Sequence, residues 1–180
     1  MGSQTTLTVA TAERMTGLGR RIAALLRPGD LVLLSGELGA GKTTLTRGLG
    51  EGLGVRGAVT SPTFVIARVH PSLIGGPALV HVDAYRLGGG LDEMEDLDLD
   101  VSLPESVIVV EWGEGKVEQL SEDRLEVRIE RTLGGAEADL VLGPSCPAAG
   151  KEGEADGRRV TVTGLGGRWD DVDLTVLGDN

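Results

Sequence analysis

The residues best suited to chemistry in this chain lie in one eight-residue segment. Residues 36–43 read Gly-Glu-Leu-Gly-Ala-Gly-Lys-Thr, which satisfies the pattern G-x-x-x-x-G-K-[ST] of a phosphate-binding loop. Glycines let backbone N–H groups turn towards phosphate oxygens, in conformations that a Cβ atom would hinder. In this pattern the Lys42 ammonium reaches the β- and γ-phosphates, and the Thr43 hydroxyl is placed to bind Mg²⁺. The segment therefore predicts a nucleoside triphosphate site.

The residues on both sides of this segment are those that a phosphate-binding loop requires. Residues 31–34 form an apolar run, which predicts a buried strand directly before the loop. Residues 43–47 are compatible with a helix directly after it, so the motif has a strand–loop–helix context. We expect this helix to run towards Leu53 and to be weakened at its far end by glycines. These are Gly48, Gly50 and Gly52.

Two apolar strands end in an acidic residue. Residues 78–82 run into Asp83, and residues 107–110 run into Glu111. In open α/β sheets ligands bind beyond the carboxyl ends of the strands, so both acids are expected near the phosphate loop. An acid in this position holds Mg²⁺, directly or through water, or orients the attacking water. The pattern does not divide these roles between Asp83 and Glu111, and a plain surface carboxylate is the alternative for either one.

Three further residues lie close to these features in the sequence. His81 is inside an apolar strand, where a histidine is more often a hydrogen-bonded core or supporting residue than a catalyst. Thr63 follows Pro62 in the loop after the phosphate-loop helix, a position that holds γ-phosphate-sensing switch loops in other nucleotide hydrolases. An ordinary turn is the alternative there. Arg86 either stabilises charge on transferring phosphate or pairs with the acidic segment 91–99.

The remaining pattern predicts an α/β fold. Residues 11–26 carry apolar residues three or four apart, which predicts an amphipathic helix with Thr11 as its cap. Strands are expected at residues 5–9, 64–69, 78–82, 106–110, 125–129 and 158–163. The second and third of these form a hairpin, and the last returns beside residues 125–129. The predicted fold is three-layered and P-loop NTPase-like, with a mixed, mostly parallel central sheet, flanking helices and a C-terminal antiparallel strand pair.

Length and composition favour a single domain over residues 1–180. The chain is 40% hydrophobic, which suffices for a sizeable and mainly aliphatic core. Residues 134–157 are rich in Gly, Ala, Pro and Glu without periodicity, so we expect a long disordered loop there. The single cysteine, Cys146, excludes an internal disulfide and a metal site built from several cysteines.

Charge and hydropathy restrict the partners and the location. The formal net charge is −11, which disfavours direct binding of DNA or RNA because phosphate contacts require a basic face. No apolar run approaches the roughly 20 residues of a membrane helix. The first residues lack the charged-then-apolar layout of a signal peptide. We therefore expect a cytoplasmic protein without a membrane or DNA partner.

Four motifs, in order, resemble those of one known family. They are Gly36-Glu37-Leu38-Gly39-Ala40-Gly41-Lys42-Thr43-Thr44, Ser61-Pro62-Thr63-Phe64, His81-Val82-Asp83-Ala84-Tyr85-Arg86-Leu87 and Glu111-Trp112. With this spacing the chain resembles the TsaE family, bacterial ATPases of threonylcarbamoyladenosine biosynthesis in tRNA. The resemblance covers about residues 7–130, with a weaker echo at residues 158–169.

The resemblance implies a protein that binds ATP and Mg²⁺ and hydrolyses ATP slowly by itself. It also implies that the protein acts together with the TsaB and TsaD proteins, which transfer a threonylcarbamoyl group to adenosine 37 of tRNA. The protein would then contact tRNA only indirectly, through these partners. ATP hydrolysis would reset that complex. Nucleotide binding is then assigned to Gly36, Glu37, Leu38, Gly39, Ala40, Gly41, Lys42, Thr43, Thr44 and Trp112. Mg²⁺ is assigned to Thr43, Glu111 and Asp83, and catalysis to Asp83, Glu111 and Thr63.

The chain departs from the family pattern at a few positions. Val82 and Ala84 stand where many relatives have Phe and Leu, so these changes concern packing rather than chemistry. Met15 stands where many relatives have Thr near the nucleotide, and no role is assigned to it.

Two other nucleotide-dependent classes fit the sequence less well. A small-molecule kinase on the same loop is the alternative, but no basic lid follows the glycines at residues 88–90, and the acidic stretch from Asp92 to Asp100 would repel phosphate-rich ligands. A GTPase recognises guanine through Asn-Lys-x-Asp, and the one Asn of this chain is Asn180.

Overall fold

Seven strands form one sheet in the computed structural model, which describes residues 3–36, 41–55, 67–83, 105–111, 122–131 and 157–178. For Ala67 and Asp83 it describes the backbone alone. The strands are β1 (Gln4–Val9), β2 (Leu31–Gly36), β3 (Ala67–His70), β4 (Ala78–Asp83), β5 (Ser106–Glu111), β6 (Arg124–Arg131) and β7 (Arg158–Leu165). Their order across the sheet is β1-β7-β6-β2-β5-β4-β3.

The four middle strands of the sheet are parallel. β6 pairs with β2, β2 with β5, and β5 with β4, all in parallel. The outer pairings, β1 with β7, β7 with β6, and β4 with β3, are antiparallel. The predicted α/β class with a mixed sheet is thereby confirmed. The predicted hairpin, formed by β3 and β4, and the C-terminal strand β7 that returns beside β6 are confirmed as well. The carboxyl ends of β2, β4 and β5 consequently share one edge of the sheet.

Two helices pack against one face of this sheet. Helix α1 (Ala12–Leu25) begins at the predicted cap, where the Thr11 side chain accepts a hydrogen bond from the Arg14 N–H at 3.1 Å. Helix α2 (Lys42–Leu53) ends at Gly54, which adopts the left-handed conformation with φ +67°. Their apolar sides bury Leu18, Ile22, Leu45 and Leu49 completely. The core between helices and sheet is therefore aliphatic, as its composition indicates.

Glycines of the two helices allow their backbones to approach closely. A Cβ at Gly48 of α2 would collide with the Thr16 backbone of α1, and one at Gly19 would lie against the backbone of α2 near Leu49. The glycines that weaken α2 as an isolated helix thus permit its packing on α1. Helix α2 reaches Leu53 as predicted, because packing outweighs propensity at its far end.

Strand β5 is buried on both faces. All six of its residues are buried, and successive side chains point to opposite sides of the sheet. Val107 and Val109 belong to the core cluster shared with α1 and α2, while Ile108 and Val110 on the opposite face have no exposed surface either. Such a strand is typical of a sheet that is covered on both sides, in agreement with the predicted three layers.

Two short elements that the sequence pattern does not predict follow β7. They are α3 (Gly167–Asp170) and a 3₁₀ helix, η1 (Leu174–Gly178). The completely buried Trp169 and Leu177 anchor them to the core. Arg168 fastens α3 to the turn before β2, since its guanidinium binds both carboxylate oxygens of Asp30.

Several predicted segments fall outside the described residues. They are the start of the strand at residues 64–66, the acidic segment 91–99 and the loop at residues 134–156. Within the described ranges, none of the helices has the length and apolar composition needed to cross a membrane.

Candidate functional site

The phosphate-loop motif joins β2 to α2. Strand β2 ends at Gly36 and helix α2 begins at Lys42, while residues 37–40 lie outside the described part of the chain. Gly41 precedes the helix with φ +112°, a conformation that residues with a Cβ rarely adopt. The glycine of the motif is thus required by the turn itself. A Cβ built there would also lie 3.4 Å from the Met15 Cε, which places Met15 against the end of the loop.

Lys42 folds back from the helix towards the end of β2. Its side chain is buried, and Nζ donates a hydrogen bond to the Gly36 carbonyl at 2.9 Å. The ammonium is consequently held at the mouth of the loop. The Thr46 hydroxyl donates to the Lys42 carbonyl at 2.8 Å and stiffens the same turn.

The first turn of α2 presents backbone donors beside this ammonium. The first helical hydrogen bond in this turn runs from the Leu45 N–H to the Gly41 carbonyl at 2.9 Å. The N–H groups of Thr43 and Thr44 precede it, at positions for which a helix supplies no internal acceptor. Both threonines are half-buried. This end of the helix is therefore suited to an anion.

The two predicted acids end neighbouring strands next to the loop. In the parallel pairing of β4 and β5, Asp83 lies opposite Glu111. In the pairing of β2 and β5, Glu111 lies opposite Leu34, two residues before Gly36. The structure therefore brings the backbone positions of Asp83 and Glu111 to the edge of the sheet that carries the phosphate loop. The Glu111 carboxylate is buried, with a side-chain exposure of 5%.

A buried histidine accompanies the Glu111 carboxylate. His81 Nε2 lies 3.1 Å from Glu111 Oε1, and the histidine side chain has no exposed surface. The two atoms are close enough for a hydrogen bond but are not aligned for one. Both therefore lack a formed hydrogen bond within the described residues, as does His81 Nδ1. The short distance between two buried polar atoms, rather than an aligned hydrogen bond, is the observation that links the two side chains.

This arrangement suits Mg²⁺ that is bound together with nucleotide phosphates. The described residues contain no group of three or more His, Cys, Asp or Glu side chains that would hold a metal ion by itself. Protein-bound Mg²⁺ commonly takes one or two carboxylates and completes its shell with water and substrate phosphates. Glu111, a buried carboxylate at the end of β5, fits the carboxylate role, and Thr43 lies in the first turn of α2.

Some predicted site residues cannot be placed in the same way. Thr63, Trp112 and the loop residues Glu37, Leu38, Gly39 and Ala40 lie outside the described ranges. Their assignment to the site stays a prediction. Two features went unpredicted: the return of Lys42 to the Gly36 carbonyl, and the contact between His81 and Glu111. The second feature leaves one signal in the sequence: His81 is a polar residue inside an apolar strand, two positions before Asp83. This spacing indicates a polar side chain near the strand end but does not name Glu111 as its neighbour.

Comparison with known proteins agrees with the motif-based resemblance. A family profile described as "Threonylcarbamoyl adenosine biosynthesis protein TsaE" matches residues 9–137. A Streptomyces coelicolor protein named tRNA threonylcarbamoyladenosine biosynthesis protein TsaE is 72% identical over 163 residues, covering 91% of this chain and 99% of that protein. A Bacillus subtilis protein of the same name is 42% identical over 120 residues, covering 66% and 73% of the two chains.

A solved structure supports the same relationship. The crystal structure of Bacillus subtilis YdiB superposes with a TM-score of 0.67 at 31% sequence identity, covering 94% of this chain and 91% of that one. The family profile spans well over half of the chain, and the Streptomyces relative is aligned over nearly its full length. The chain therefore belongs to the TsaE family.

Proposed function

We propose that this protein binds ATP with Mg²⁺ and hydrolyses it, as an accessory ATPase in the formation of threonylcarbamoyladenosine at position 37 of tRNA. The pathway follows from the family and from the names of its relatives. The observation that carries the ATPase part is the Lys42 ammonium, held 2.9 Å from the Gly36 carbonyl where α2 begins. A buried carboxylate, Glu111, lies on the neighbouring strand.

In this proposal the phosphates bind where Lys42 and the first turn of α2 meet. Lys42 Nζ exchanges the Gly36 carbonyl for phosphate oxygens, and the first N–H groups of the helix bind the same anion. Thr43 and Glu111, with Asp83, hold the Mg²⁺, which neutralises the charge on the phosphates when it is bound. Catalysis here consists of positioning and electrostatic stabilisation.

The water that attacks the γ-phosphate needs an acid to orient it, and both Asp83 and Glu111 are candidates. Their backbone positions lie opposite each other at the end of the sheet that carries the phosphate loop. Thr63 is proposed to sense the γ-phosphate from the following loop. Trp112, next to Glu111 in the chain, is proposed to lie beside the nucleotide.

The proposed partners are TsaB and TsaD, with ATP hydrolysis resetting their complex between turnovers. The protein then meets tRNA only through these partners, which agrees with its net charge of −11. We place this work in the cytoplasm, where tRNA is modified.

The Lys42→Ala variant tests the ATPase proposal. Without the ammonium the phosphate charge loses its main partner, so we expect hydrolysis to fall by on the order of 10²–10³-fold. Arg47→Ala is the matched control, because Arg47 is an exposed cation on the same helix and lies outside the phosphate-loop motif. Release of labelled phosphate from ATP is the measurement. If Lys42→Ala hydrolyses ATP at the full rate, the assignment of the phosphate loop is wrong.

A further inference from the structure

We propose that His81 is a positioning residue that holds the Glu111 carboxylate for the Mg²⁺–nucleotide complex. The proposal rests on the ATPase function proposed above and assigns a task to a residue that does not itself touch substrate. It is carried by three observations on β4 and β5: the distance between the two side chains, their burial, and the hydrogen bonds that they leave unmade.

The register of the two strands brings the side chains together. His81 lies opposite Val109 in the parallel pairing, so Glu111 is two residues further along β5 and on the same face of the sheet. Val109 belongs to the core cluster under α1 and α2. The imidazole is thus placed on the core side of the carboxylate, and Nε2 lies 3.1 Å from Oε1.

Burial makes a purely structural role for His81 unfavourable. The imidazole has no exposed surface, and neither of its nitrogens has a formed hydrogen bond within the described residues. A buried polar group without a hydrogen bond destabilises a fold, and an apolar residue of similar size would avoid that loss. Glu111 Oε1 lies at hydrogen-bonding distance from Nε2, so the role of His81 is directed at Glu111.

Chemistry explains why a histidine suits this position. The Nε2–H group of an imidazole donates one hydrogen bond in the ring plane, which fixes the rotation of a carboxylate. A lysine or arginine there would add a permanent charge and compete with the cation for Glu111. Groups that hydrogen-bond to a metal-binding carboxylate orient it, and their loss typically lowers metal affinity or activity by about 10–100-fold.

The first test uses two variants of His81 and one control. In His81→Leu the donor is lost, and we expect the Mg²⁺ concentration for half-maximal ATP hydrolysis to rise by about 10–100-fold. In His81→Gln an amide donor replaces Nε2–H, so the same concentration should stay within about three-fold of the unmodified protein. His70→Leu is the control, because His70 is the other histidine of the chain and is also buried. It should leave the Mg²⁺ requirement unchanged.

The second test reads the contact without measuring activity. The chain has two histidines, so isotope labelling of histidine gives two sets of imidazole NMR signals, which His70→Leu assigns. Glu111→Gln should shift the His81 signals and leave those of His70 in place. In the unmodified protein, Mg²⁺ added with a non-hydrolysable ATP analogue should likewise move the His81 signals more than those of His70.

The outcomes separate this proposal from the ATPase proposal. If the protein hydrolyses ATP but His81→Leu keeps the normal Mg²⁺ requirement, positioning by His81 is wrong and the ATPase proposal stands. If the protein hydrolyses no ATP, the ATPase proposal fails, and the NMR response to Glu111→Gln still decides whether the contact exists. Should His81→Leu fail to fold, that same response decides; unmoved His81 signals overturn the proposal.

Discussion

Two carboxylates are buried to the same degree in this protein but are held in opposite ways. Asp30 is 5% exposed and Glu111 is 4% exposed. The Asp30 oxygens accept hydrogen bonds from Arg168 Nε at 3.2 Å, from Arg168 Nη2 at 3.1 Å and from the Arg27 N–H at 2.6 Å. In contrast, Glu111 Oε1 forms no hydrogen bond to any residue that the structure describes. His81 Nε2 lies 3.1 Å from it but is not aligned for a hydrogen bond.

The difference separates a carboxylate that is fixed by its hydrogen bonds from one with a buried oxygen that no described residue bonds. A buried charge is tolerated when its hydrogen-bonding capacity is filled, as at Asp30, where the bonds fasten α3 to the turn before β2. Glu111 ends β5 next to the strand that leads into the phosphate loop, and no described residue forms a hydrogen bond to its Oε1. In the proposed function the first carboxylate contributes stability and the second contributes binding, and substitutions should separate the two.

The largest effect is expected from Asp30→Ala. The substitution leaves the Arg168 guanidinium without its carboxylate partner. The guanidinium still donates a hydrogen bond to the Leu25 carbonyl at 2.8 Å and lies 4.4 Å from the centre of the Trp169 ring. We therefore expect the free energy of unfolding to fall by about 2–4 kcal/mol, somewhat less than for a fully buried pair. Chemical denaturation measures it. Glu51→Ala is the control, since Glu51 and Arg20 form a half-exposed pair that should contribute less than about 1 kcal/mol.

Glu111→Gln should behave in the opposite way. We expect Mg²⁺-dependent turnover to fall by on the order of 10²-fold, about 2.7 kcal/mol in the barrier. Nucleotide binding should weaken far less, because Lys42 and the first turn of α2 are untouched. The free energy of unfolding should change by less than about 1 kcal/mol, since a buried charge is replaced by a neutral amide of the same shape. A variant that loses stability like Asp30→Ala but keeps its turnover would erase the distinction between the two carboxylates.

Packing between the helices offers a test of intermediate size. In Gly48→Ala the new methyl group meets the Thr16 backbone, which cannot rotate away, so we expect a loss of about 1–3 kcal/mol in unfolding free energy. Gly17→Ala is the control, because a Cβ at Gly17 meets nothing within 4 Å. That substitution should stabilise α1 by about 0.5–1 kcal/mol through helix propensity. Equal gains at both positions would show that α1 and α2 are not in close contact.

The smallest effect is expected from deletion of residues 135–156. Arg131 at the end of β6 pairs with Arg158 at the start of β7, so the deletion leaves residues 132–134 and 157 as a four-residue hairpin loop, a common length. The deleted segment also lies almost wholly beyond the family match, which ends at residue 137. We expect ATP hydrolysis to stay within about two-fold, because loop length alone costs little free energy. A large loss of hydrolysis would assign the segment a part in the site.

The parts of the fold that local patterns determine were predictable. The phosphate-loop motif has a fixed geometry, so the end of β2 and the start of α2 follow from eight residues. The alternating pattern of residues 158–163 predicts β7 as a return strand beside β6. The strand order was not predictable, because it depends on which distant apolar strands pack together. Helix α3 has four residues, too few for any periodicity to show.

The neighbouring backbone positions of Asp83 and Glu111 were predictable from the sequence, whereas the side-chain contacts around them were not. Acids at the ends of strands beside a phosphate loop indicate Asp83 and Glu111 from the sequence pattern alone. The contact of His81 with Glu111 depends on the register of β4 against β5, which no local pattern encodes. In the same way, the sequence alone indicates that the glycines of α2 destabilise the helix. Their role in its close packing follows only from the position of α1.

The most direct test of the account follows labelled γ-phosphate from ATP, with the protein alone and then with TsaB, TsaD and substrate tRNA. We predict that the label appears only as free phosphate, and that more tRNA is modified when the protein is present but not when Lys42→Ala replaces it. Label on a small molecule would make the protein a kinase and contradict the account. Free phosphate without any effect on tRNA modification would contradict the proposed partners.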